Sequence, residues 1–165
     1  MGLDIFTERL AEEDSDERIE LLARVIQAAA SATFPAKVEA LGRVLADGLL
    51  EDSDAAEALV LASAIESLDR AHVLVLDHME RNRVPAPELL EENRKAIAGW
   101  QVPLLARVLP DIAAIMDPIV AALSGVGLIR DNTGVNYASQ PGPEAWAITD
   151  TGVRCLRLLD PFRDE

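Results

Sequence analysis

Apolar residues in this chain recur at intervals of three and four in short blocks, each bounded by acids, prolines or glycines. That spacing predicts a succession of short amphipathic helices joined by tight connectors. Asp14 and Glu17 have capping-box spacing, and Ile19, Leu22, Ile26 and Ala29 follow as an expected buried stripe, so a helix is predicted over 15–31. Phe34-Pro35 interrupts it, with Pro35 suited to a first helical position because its missing N–H has no partner there. Val38, Leu41, Leu45 and Leu49 line a second helix. Ser53 is the expected cap of a third, with Leu59, Ala62 and Ile65 on its apolar side. Asp69 caps a fourth, in which Ala71, Val73, Leu74, Val75, Leu76 and Met79 point almost all round. A helix of that kind is expected at the centre of the helical part. The prolyl stretch 82–87 leads to a more polar helix over 88–98, closed by Gly99.

Length and charge bound the function. The 165 residues correspond to about one ordinary domain, large enough to bury a core without staples. Cys155 is the single cysteine, so no internal disulfide forms. Residues 1–14 form an acidic lead-in where a targeting peptide would be basic, which makes the cytoplasm the expected compartment. No apolar run is long enough to span a bilayer, so no membrane is expected. Fifteen basic against 29 acidic side chains give a net charge of −14, which repels polyphosphates at long range. Aromatic residues are 4% of the chain, too few for a base-stacking platform. Glu-Asp-Ser-Asp occurs at 13–16 and 51–54, each time ahead of an Ala/Leu-rich helix; a duplicated helical unit and convergent capping chemistry both account for the two copies.

The C-terminal third changes character. Helices are predicted over 103–109 and 111–124, the second broken or restarted at Pro118 with Asp117 as its cap. Gly125 and Gly127 end it. Leu128-Ile129-Arg130 and Trp146-Ala147-Ile148 read as short strands, and Thr149 as the cap of a last helix carrying Val153, Leu156 and Leu159. Two helices, then Leu123-Ser-Gly-Val-Gly-Leu-Ile129, a hairpin and Ala147-Ile-Thr-Asp-Thr-Gly152 resemble a winged helix-turn-helix of the MarR-like kind. The resemblance covers about residues 100–160 and implies that 104–109 is the first helix of the motif and 112–123 its recognition helix. It implies a shape, and function has to be argued from the residues themselves. A reading helix presents Arg, Lys, Asn or Gln to bases and phosphates, whereas this one offers Ala113, Ala114, Asp117 and Ala121. Arg130, Arg154 and Arg157 are the candidate nucleic-acid contacts, at the wing and last helix.

Catalytic equipment is sparse. Asp150-Thr151-Gly152 matches the short signature of an aspartic protease half-site, but it runs into the helical stripe Val153, Leu156, Leu159 and reads as a helix start. His72 and His78 lie six residues apart, about 240° around a helix, and cannot share a metal from there. His72 falls one turn after Asp69, as an internal hydrogen bond or ion pair would require, and His78 near a helix end, where the macrodipole favours a cation. Cys155, between Arg154 and Leu156, is expected as a buried, inert thiol. No phosphate-cradling glycine loop is present, and no cofactor or metal is expected.

The expected fold is therefore mainly α: the lead-in 1–14, a helical bundle over 15–98 and a winged-helix-like region with a small β-hairpin over 99–165. The expected function is non-enzymatic, a regulatory or protein–protein interaction role using a degenerate winged helix, with self-association into a dimer or other homo-oligomer. A DNA-binding regulator is the first alternative, and an acidic nucleic-acid mimic that inhibits a DNA-binding partner is the second.

Overall fold

The computed structural model describes residues 15–50, 54–83, 99–132 and 144–159. Over these residues the protein is mainly α-helical with one two-stranded antiparallel sheet, the fold class expected from sequence. The elements run α1 (Ser15–Ala30), α2 (Pro35–Gly48), α3 (Ala55–Ser67), α4 (Arg70–Arg81), α5 (Val102–Val108), a 3-10 turn (Pro110–Ile115), α6 (Met116–Gly125), β1 (Ile129–Asp131), β2 (Trp146–Ile148) and α7 (Asp150–Leu158). The expected helix over 88–98 and the cap Ser53 lie outside the described residues. No helix among the described residues is long and apolar enough to cross a membrane.

Two compact units divide these residues. The first holds 15–50, 54–67 and 157–159; the second holds 68–83, 99–132 and 144–156.

In the first unit α1, α2 and α3 pack pairwise through small residues, Ala28, Ala40, Ala58 and Ala62 all being buried. Short side chains at the contacts let helix axes approach closely. Pro35 opens α2 as its spacing suggests, and Asp54 caps α3 by accepting hydrogen bonds from the Ala56 and Glu57 amides at 2.9 and 3.2 Å. The Lys37 ammonium is buried and donates to the Glu66 carbonyl at 2.5 Å, placing a cation on the last turn of α3. Glu66 also pairs through its carboxylate with Arg24 of α1 at 3.1 Å.

Three expectations about which face is buried are corrected. In α1 the inner stripe is Arg18, Leu21, Val25 and Ala28, while Ile19 and Ile26 face water. A shift of one residue turns a helix by about 100°, and α1 carries two neighbouring apolar stripes, of which the packing against α2 and α3 buries one. In α2 Leu41 is buried but Val38 is exposed, the interior being filled by Ala36, Ala40 and Val44 instead. In α4 only Val75, Leu76 and Met79 are buried and Leu74 is exposed. The helix buried on more than one side is α3, through Ala55, Ala58, Leu61, Ala62, Ala64 and Ile65.

In the second unit α4 packs on β2 and α6, and α5 packs on the 3-10 turn and α6. Ile129, Arg130 and Asp131 pair with Ile148, Ala147 and Trp146. The N–H and C=O of Trp146 are both bonded to Trp100 at 2.8 Å, so β2 is flanked on both edges. The order helix, bridge, helix, turn, helix, hairpin is compatible with a winged-helix shape. The interruption ahead of α6 falls at Ile115–Met116, earlier than Pro118. Pro118 sits in the first turn of α6, where an N–H has no intrahelical partner and its loss costs little. Asp117 lies within that turn, and the residue at the N-cap position is Ile115.

Candidate interaction surface

Local chemistry fixes how α6 and the hairpin are presented. Gly127 adopts φ +73°, a left-handed conformation open to glycine, and the Leu128 and Gly127 amides donate to the Leu123 and Ser124 carbonyls at 2.9 and 3.0 Å. This paired closure satisfies the orphan carbonyls at the end of α6 and turns the chain directly into β1. At the far side of the hairpin the Thr149 hydroxyl accepts from the Gly152 amide at 3.1 Å and lies 2.8 and 3.0 Å from the Gly127 and Leu128 carbonyls. The start of α7 is thus tied to the end of α6. A Cβ on Gly152 would collide with the Leu128 carbonyl and lie 2.8 Å from Ile148 Cγ1, so glycine is required for α7 to seat against β1. These contacts account for Thr149 to Gly152 as a helix start.

With Met116, Ile119, Val120 and Leu123 turned inward, the outward residues of α6 are Asp117, Pro118, Ala121, Ala122 and Gly125. Ile115 just before the helix is 48% exposed and Val126 just after it 37%. The surface is small and apolar, with Asp111 and Asp117 as its only charged side chains between Pro110 and Gly127. Nothing on it matches a phosphate or the donor pattern of a base edge.

The three arginines singled out from sequence are all exposed. Arg154 and Arg157 lie one turn apart on α7, and Arg130 projects from β1 opposite Ala147, which adds no charge. The structure therefore brings two of them onto one helix and leaves the third on the sheet.

The histidines and the cysteine have structural surroundings. His72 Nδ1 accepts from the Asp69 amide at 3.1 Å within a reciprocal capping box, the internal bond its spacing suggests. His78 stands edge-on to Trp100 with ring centroids 4.7 Å apart, and the Trp100 indole N–H donates to the Asn82 carbonyl at 2.6 Å. Burial pushes the His78 pKa below its ordinary value, against an opposing pull from Asp77, so the imidazole is held neutral and not as the cation its helix-end position suggests. Cys155 is buried, and desolvation raises its thiol to about 12 despite Arg154 beside it, which removes nucleophilic character at neutral pH. Among the described residues no group of three or more His, Cys, Asp or Glu is placed to hold a metal ion.

The strand-like role of Trp100 is the feature that sequence reading missed. Its one signal is a lone large aromatic between Gly99 and the proline-opened helix α5. Comparison with protein-family models, curated proteins and solved structures gives no match to this chain.

Proposed function

We propose that this protein is a non-enzymatic regulatory or interaction protein that self-associates and contacts protein partners through a winged-helix-like end. The observation that carries the reading is the outward face of α6, Ile115, Pro118, Ala121, Ala122 and Val126, which has no cation and two aspartates at its edge. A helix in that position and of that composition favours an apolar protein surface over a polyanion. The raised Cys155 thiol and the capping role of His72 support the non-enzymatic part.

The test pairs two measurements on the full chain. A fluorescent duplex titrated at low ionic strength is expected to show no binding. A protein partner recovered with the unaltered chain is expected to be lost with Ala122→Arg, which places a large cation in the middle of the face. Tight duplex binding that weakens steeply with salt would replace this reading with the DNA-binding regulator, for which the exposure of Arg130, Arg154 and Arg157 speaks. Displacement of DNA from a basic partner, unaffected by Ala122→Arg, would favour the acidic mimic suggested by the charge of −14.

A further inference from the structure

We draw no further inference here: the strongest candidate, the His78–Trp100–Trp146 cluster where α4 packs on β2, leaves the buried Nε2 of His78 and Nε1 of Trp146 without hydrogen-bond partners, but nothing among the described residues shows what would bind them, and the pH response of His78 rests on its titration alone.

Discussion

The first unit and the second unit hold their shapes by different means. Around α1, α2 and α3 the fixing contacts are alanines and leucines between helix faces, and the inward side of each helix is set by its packing against the other two. Around β1, β2 and the start of α7 the fixing contacts are single-residue devices: Gly127 in a left-handed turn, the Thr149 hydroxyl on two carbonyls, Gly152 against Leu128. Generic packing leaves several apolar stripes available and uses one. Specific turn chemistry admits one arrangement. The first kind of region therefore leaves apolar surface outside its own packing, and the second kind presents its surface in a defined orientation.

The largest expected effect separates used from unused stripes. Leu41 is fully buried and Val38, three residues earlier on the same helix, is 45% exposed. Leu41→Ala should cost about 3 kcal/mol in urea unfolding, through lost burial and a residual cavity, whereas Val38→Ala should stay within about 0.5 kcal/mol. Equal losses would mean that α2 buries both positions and that the face is less selective than the contrast requires.

Next comes Gly152→Ala, which tests the second unit's dependence on one approach. The added methyl meets a backbone carbonyl that is itself bonded to Thr149, so relief requires α7 to lift from β1. An unfolding cost of about 1–3 kcal/mol is expected. Thr149→Ala should follow at about 1 kcal/mol, the usual value of a lost N-cap. A negligible effect of both would show that packing of Leu156 and Leu159, not turn chemistry, positions the last helix.

How much of this was legible in the sequence follows the same division. The boundaries of α1, α2, α5 and β2, the Thr149 cap and the Asp69–His72 bond are punctuation, carried by one or two residues whose chemistry has few uses. The inward face of α1 was not legible, because Ile19, Leu22 and Ile26 make a better stripe on paper than Leu21, Val25 and Ala28. Which of the two stripes turns inward is set by the packing of α2 and α3 against α1, and the spacing within one helix does not carry that information. The break at Ile115–Met116 was hidden for a related reason: Pro118 looks like the interruption, yet a proline in a first turn interrupts nothing. The bareness of the α6 face was legible, since it is a matter of which side chains are present.

The smallest effect probes the aromatic contact that joins α4 to the Trp100 bridge. Burial holds the His78 pKa below its unfolded value near 6.5, so at pH above about 6.5 both states are neutral and this group contributes no pH dependence. As pH falls below that value the unfolded chain takes up a proton that the folded chain resists, and stability declines until the folded pKa is reached. Carboxylates add their own dependence at lower pH, so the contribution of His78 is the difference between the unaltered chain and His78→Gln. Unfolding free energies measured from pH 7.5 to 5 should therefore converge in slope above about 6.5 and diverge below it, with the unaltered chain falling faster. A histidine that instead stabilised the fold as a helix-end cation would reverse the sign, with the unaltered chain gaining on His78→Gln as pH falls, and the edge-on packing against Trp100 would then have to open to admit the charge.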